Sequence, residues 1–127
     1  MIRWLENNQI FAIIFTLVIA IEIFLFSSIP GTKITIRGLD LSSFYHLVVF
    51  FLLNFFLLIS LNGKNKIRIN FLFIAIIISI IYSILDEIHQ IFVPFRSPNM
   101  GDILIDITGI FIATLTYIYY KNKDIYN

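Results

Sequence analysis

The sequence predicts an all-α fold, an integral membrane bundle of four transmembrane helices with both termini cytoplasmic. Three observations predict it. Hydrophobic residues make up 59% of the 127 residues and charged residues only 13%, a balance that leaves a water-soluble domain without a polar surface. The polar residues fall in short stretches, and the apolar runs between them have the length that bilayer thickness demands of a helix. Basic residues, finally, are shared unevenly between the two sides that four spans define.

The first helix is expected over about residues 9–29. Its apolar run, 10–26, is broken only by Glu22; Ser27, Ser28 and Ile29 extend it to Pro30-Gly31, a pair that cannot continue a helix. A basic residue, Arg3, ahead of an apolar run is also how a cleavable signal begins. Here the apolar core is long, no small-x-small cleavage site follows, and Glu22 would be out of place, so the run reads as a retained span. The second helix, 44–62, follows Ser42 or Ser43 as N-cap, carries His46 and Asn54, and stops at Asn62-Gly63.

The third, 68–93, stays apolar through Leu85 and then continues as Asp86-Glu87-Ile88-His89-Gln90 to a stop at Pro94, outlasting the hydrocarbon. The fourth, 102–120, opens with Gly101-Asp102 as N-cap, and Tyr117, Tyr119 and Tyr120 form an interfacial belt ahead of Lys121 and Lys123. Residues 1–127 thus read as a single transmembrane domain.

Arg3, Lys64, Lys66, Arg68, Lys121 and Lys123 share the side of the termini, against Lys33, Arg37 and Arg96 on the other. Six against three places the termini in the cytoplasm and the 30–43 and 94–101 loops outside. A net charge of +1 with no clustered basic face excludes nucleic acid as a partner. Zero cysteines exclude disulfides and thiolate metal sites.

With roughly 1.5 Å of rise per residue, the ionisable side chains fall at one depth. Glu22, His46, Asp86, Glu87, His89, Gln90, Asp102 and Asp106 all lie in the outer half, and the inner half offers only Asn54 and scattered Ser and Thr. Residues three and four apart share a helical face, so Asp86, His89 and Gln90 align with Tyr82 and Ser79. Asp102, Asp106, Gly109 and Ala113 align on the fourth helix, where the two small residues permit close helix approach. Ionisable groups at membrane depth are costly and mark function by default. The plainer readings are that Asp102 caps its helix, that Asn54 bonds between helices, and that Asp86 and Glu87 form a wetted helix end. Glu22 has no local cation and needs a partner from another helix. The phenylalanines, among them Phe11, Phe15, Phe24, Phe26, Phe51, Phe55 and Phe56, read as lipid-facing bulk.

The order Phe26-Ser27-Ser28-Ile29-Pro30, then His46 and Phe50, then Asp86-Glu87-Ile88-His89-Gln90-Ile91-Phe92-Val93-Pro94 with Arg96, then Asp102 and Gly109, resembles the VanZ-like membrane proteins along the whole chain. The 86–96 string is its specific part. The resemblance implies a multi-pass protein of the bacterial cytoplasmic membrane and a cell-envelope setting. The family takes its name from a protein encoded with glycopeptide-resistance genes and associated with teicoplanin resistance. The chain departs from the family pattern at Phe95, where glycine is common, and at Asp106, where asparagine is frequent. Ser42-Ser43 replaces a usual Asp-Lys pair, with the nearest acid displaced to Asp40.

Two readings of the polar residues stay open. As an enzyme on a membrane lipid or lipid-linked envelope component, His89 or His46 moves a proton, Asp86 or Glu87 orients it, and Glu22 adds a carboxylate. Arg96, with Gln90, Asp102 and Asp106, would bind the headgroup. As a non-enzymatic binder, the same cup recognises an antibiotic, a lipid headgroup or a partner protein, and nothing turns over. No cofactor is specified; His46, His89, Asp86, Glu87 and Asp106 could hold a divalent metal such as zinc or manganese, although the spacing is not His-Glu-x-x-His and adjacent Asp86 and Glu87 cannot both face one ion. Conduction lacks polar residues through the inner half, and the oligomeric state, a homo-oligomer included, is left open.

Overall fold

The computed structural model describes residues 2–31, 35–36 and 39–125; Lys33 and Arg37, two of the positive residues counted for orientation, lie outside them. A short helix α1 (Ile2–Asn7) precedes α2 (Gln9–Ser27), α3 (Leu41–Asn62), α4 (Ile69–Gln90) and α5 (Met100–Ile125). The last four are each long and apolar enough to cross a membrane. Between α2 and α3, β1 (Thr35–Ile36) and β2 (Leu39–Asp40) pair antiparallel over two residues each, leaving an otherwise all-helical fold. The bundle has a termini end, with α1, the 63–68 connection and the end of α5, and a loop end, with the α2–α3 and α4–α5 connections.

Helix boundaries differ from expectation at several places: α2 ends at Ser27, two residues short, and α5 runs on to Ile125, five residues past its expected end. α3 begins at Leu41, directly after β2, so Ser42 and Ser43 lie in its first turn and not ahead of it. α4 stops at Gln90, three residues short, because Pro94 disfavours helical geometry at Val93. The chain there tightens into short turns, with the amides of Ile91, Phe92 and Val93 donating to Ile88, His89 and Gln90. α5 begins at Met100, and the cap is Asn99, whose Oδ1 accepts the Gly101 amide at 3.0 Å. Asp102 is thereby released from the capping role expected of it.

The outward faces of α2, α4 and α5 carry exposed apolar side chains such as Leu17, Ile21, Phe73, Ile77 and Leu115, as lipid contact requires, whereas α3 exposes only Leu41 and Phe44 in its first turn. Inside, one apolar cluster joins Leu5, Ala12, Leu58, Ile59, Leu72, Ala75 and Tyr117; a second joins Ile19, Ile23, Val49, Phe50, Leu53 and Ile110. Between them sits Asn54, fully buried. Its Nδ2 donates to Ile110 O at 3.0 Å and Thr114 Oγ1 at 2.9 Å, and its Oδ1 accepts from Ser79 Oγ at 3.2 Å. One amide therefore links α3, α4 and α5, the interhelical role expected of it.

The termini end is more polar than the sequence suggested. α1 ends at the break around Asn8 and folds Glu6 back beneath the bundle, where Lys121 Nζ lies 2.8 Å from its Oε1. The same ammonium donates to Gly63 O at 2.8 Å and Asn65 O at 3.1 Å, so three acceptors share this buried cation. Tyr117, expected in an interfacial belt, is instead fully buried, with its ring 6.0 Å from Lys121 Nζ; Tyr119 is 70% exposed. α3 ends as expected at Gly63, whose φ of +52° is a left-handed closing conformation.

α3 is the central helix, and α5 is its most extensive neighbour. Gly109 sets their separation, since a Cβ there would lie 2.5 Å from Leu47 O and 3.2 Å from Phe51 N. Both obstacles are backbone, so no rotamer change makes room. Gly109→Ala should push α3 from α5 and destabilise the folded bundle by about 1–3 kcal/mol, the usual cost of overpacking. Thermal or denaturant unfolding in detergent measures this, and an unchanged midpoint would show that the helices are not held at this distance.

Candidate functional site

The loop end collects a carboxylate-rich cup from three helices. From α3, in its second turn, His46 enters almost fully buried, with its ring parallel to Phe50 at 6.2 Å between centroids. From α5 come Asp102 and Asp106, one turn apart on one face. From the last turns of α4 come Ser83, Asp86, Glu87 and Gln90, all buried. Ser79 and Ser83 continue that stripe inward at four-residue spacing, the regular helical signature of a face turned to the bundle centre.

Asp106 is wholly buried and joins the three helices. Its Oδ1 lies 3.1 Å from His46 Nδ1, and its Oδ2 accepts from Ser83 Oγ at 2.7 Å. Nδ1 being engaged, Nε2 is the ring nitrogen of His46 available to meet a ligand. Glu87 is fixed by the loop above it: its Oε2 accepts the Asn99 amide at 2.7 Å, and Gln90 Nε2 lies 3.3 Å from its Oε1. The same Gln90 nitrogen donates to Asp86 Oδ2 at 2.9 Å, so one amide holds two adjacent carboxylates.

Arg96 works on the rim. Its Nε and Nη2 donate to Ile29 O at 3.1 Å and Phe26 O at 2.9 Å, carbonyls at the end of α2 of which Phe26 O also accepts the Ile29 amide, and Nη1 reaches Gln90 Oε1 at 3.4 Å. This ties the α4–α5 loop to α2. A cavity of about 260 Å³ opens here, lined by Ser42, Gln90, Phe95, Arg96, Ser97 and Asp102 among others.

Of the residues singled out from sequence, His46, Asp86, Glu87, Gln90, Asp102 and Asp106 meet in or beside the cup. Glu22 and His89 lie on the α2 flank. Glu22 accepts from Tyr45 Oη at 3.3 Å, the cross-helix partner its position requires. His89 Nε2 lies 2.9 Å from Ser28 Oγ, and its ring is 4.6 Å from that of Phe24. Asp86 and Gln90 face inward, whereas His89, one residue earlier than Gln90, is turned toward α2. Ser83, Asn99 and Tyr45 were not anticipated. Ser83 could have been found, since it stands midway between Ser79 and Glu87 at four-residue intervals; Asn99 and Tyr45 carried no comparable signal.

One His nitrogen and one carboxylate oxygen each from Glu87 and Asp102 come within 4.8 Å of one another, all three residues buried. Among the described residues this is the group able to hold a metal ion. It retains His46 and Glu87 from the set considered from sequence and replaces His89, Asp86 and Asp106 with Asp102.

Four apolar helices with a buried carboxylate–histidine cup between three of them define a multi-pass helical membrane protein with a polar site at one end of the bundle. The chain matches the VanZ/LLP1 family over residues 4–121, nearly its whole length, and belongs to that family. No curated protein and no solved structure matches it.

Phe95, on the cavity wall, has a φ of +63°, the left-handed region that glycine occupies without penalty. The glycine common in VanZ-like proteins at this place thus answers a backbone requirement that Phe95 meets under strain. Its side chain is 88% exposed and contributes little packing. Phe95→Gly should therefore be more stable than Phe95→Ala by about 0.5–1 kcal/mol, the left-handed penalty exceeding the extra unfolded-chain freedom of glycine. Unfolding of the two variants decides it, because at an ordinary loop position alanine would be the more stable.

Proposed function

We propose that this VanZ-family protein binds and acts on a lipid or lipid-linked component of the bacterial cell envelope, through the cup, in the extracytoplasmic half of the cytoplasmic membrane. The observation that carries this reading is the cavity of about 260 Å³ that runs from the Arg96 rim to buried Asp102. It lies where a headgroup could enter from the bilayer while its chains stay among the exposed apolar side chains of the bundle. The excess of positive residues at the termini end supports the outward direction of the loop end.

The chemistry follows from the dyad. His46, oriented by Asp106, takes a proton from water, the nucleophile of this reading; Glu87 and Asp102 each bring a carboxylate oxygen within 4.8 Å of a ring nitrogen of His46. Gln90 and Arg96 contact the headgroup at the rim. His89 and Glu22 shape the α2 flank. The association of the family with glycopeptide resistance extends the proposal to altered susceptibility through the same envelope component.

A second reading, a binder without turnover that recognises an antibiotic, a lipid headgroup or a partner protein, is favoured by one observation. Arg96 directs its guanidinium to two backbone carbonyls and Gln90, as a loop-fixing residue would.

Incubating the purified protein with lipids of its native membrane, followed by mass spectrometry, separates the two. Turnover should appear with the native chain and fall about 10²–10⁴-fold in His46→Gln, the usual contribution of a general acid or base. Lipid that co-purifies unchanged, and is lost in Glu87→Gln, would support the binder. The absence of both turnover and retained lipid would contradict a lipid-directed site.

A further inference from the structure

The cup holds more negative charge than it balances. Asp86, Glu87, Asp102 and Asp106 are each at most 7% exposed, and among the described residues the ion-pair contact made to any of them is that of His46 with Asp106. The termini end shows the opposite treatment: among the described residues its buried carboxylate is Glu6, which has the Lys121 ammonium at 2.8 Å. Buried, unpaired carboxylates require a proton or a cation, because ion desolvation costs several kcal/mol per charge. Hydrogen bonds satisfy Asp86, Glu87 and Asp106. Asp102 is different. More than nine-tenths buried, its carboxylate accepts no side-chain or backbone hydrogen bond among the described residues, and it converges with His46 and Glu87 to within 4.8 Å.

We infer that His46, Glu87 and Asp102 are the protein ligands of a divalent transition-metal ion, with Asp106 holding the imidazole from behind. The donor set is one nitrogen and two carboxylate oxygens, which suits manganese or zinc; calcium and magnesium prefer oxygen alone. The three donor atoms lie within 4.8 Å of one another, and an ion with bonds near 2.1 Å needs no two of its ligands more than about 4.2 Å apart, so side-chain adjustments of under an ångström bring them to ligand distance. An imidazole whose second nitrogen meets a carboxylate is the usual support of a metal-bound histidine, and Asp106 at 3.1 Å supplies it. Three ligands leave positions for water or a headgroup oxygen, and Asp102 opens those positions to the Arg96 cavity. The ion would offset the repulsion that an anionic headgroup meets in an acidic cup, but with it bound both ring nitrogens of His46 are engaged and His46 is a ligand, no longer the base of the reading proposed above. The metal site itself does not rest on that reading.

The test uses the full chain, stripped with chelator in detergent and titrated with Mn²⁺ or Zn²⁺. One ion per chain should bind, by calorimetry and elemental analysis, and Mn²⁺ should show nitrogen hyperfine coupling from one imidazole in pulsed electron paramagnetic resonance. That coupling should vanish in His46→Gln and persist in His89→Gln. Asp106→Asn should still bind, about 10–100-fold more weakly, as loss of an outer partner does. The native chain alone keeps the test decisive if variants fail to fold: no stoichiometric ion, or an ion without nitrogen coupling, overturns the site. Lipid turnover or retention is read separately, so either reading can fail without the other.

Discussion

Asp106 has no exposed surface, and its two side-chain partners come from two other helices. A carboxylate at membrane depth without partners would cost several kcal/mol, so the fold is bound to deliver His46 from α3 and Ser83 from α4 to the same point. Apolar contacts alone set helix register weakly in a bilayer, where lipid tails are as apolar as the side chains. The Asp106 bonds and the Asn54 layer below them specify it instead. Gly109, one turn beyond Asp106, lets the α3 backbone come close enough for both. α2 takes no part in those layers and is held by Tyr82 Oη donating to Ala20 O at 2.6 Å and by Arg96 at its end.

The two ends of the bundle use buried charge differently. At the termini end Glu6 and Lys121 neutralise each other and close the 63–68 connection, which is a structural use. At the loop end buried carboxylates accumulate around His46 and a cavity, and among the described residues the ion-pair contact made to them is that of His46 with Asp106. That imbalance is what makes the loop end the candidate site, because a fold selected for stability alone gains nothing from it.

Much of this was legible in the sequence because membrane thickness forces a simple pattern. Four apolar runs gave four spans, and depth along them brought His46, Asp86, Glu87, Gln90, Asp102 and Asp106 to one end. Local bonding decided what was not legible. The cap at α5 passed from Asp102 to Asn99, which turned an expected structural residue into a cup residue. Which α4 residues join His46 depended on a rotation of that helix by roughly 40°, less than half of the 100° between successive residues. Spacing from Asp86 placed His89 and Gln90 together with Tyr82 and Ser79, whereas the buried stripe keeps Ser79, Asp86 and Gln90 and takes Ser83 and Glu87 in place of Tyr82 and His89. The Glu6–Lys121 pair joins opposite ends of the chain, and nothing in either local sequence announces it.

The side on which the cup opens carries the functional reading, and the native chain, having no cysteine, allows a clean measurement of it. Single cysteines at Ser97, on the cavity wall, and at Lys64, at the termini end, can be treated in intact cells with a membrane-impermeant maleimide. An extracytoplasmic cup predicts that Ser97→Cys is labelled in intact cells and Lys64→Cys only after lysis. Labelling of Lys64→Cys in intact cells, with Ser97→Cys protected, would contradict it.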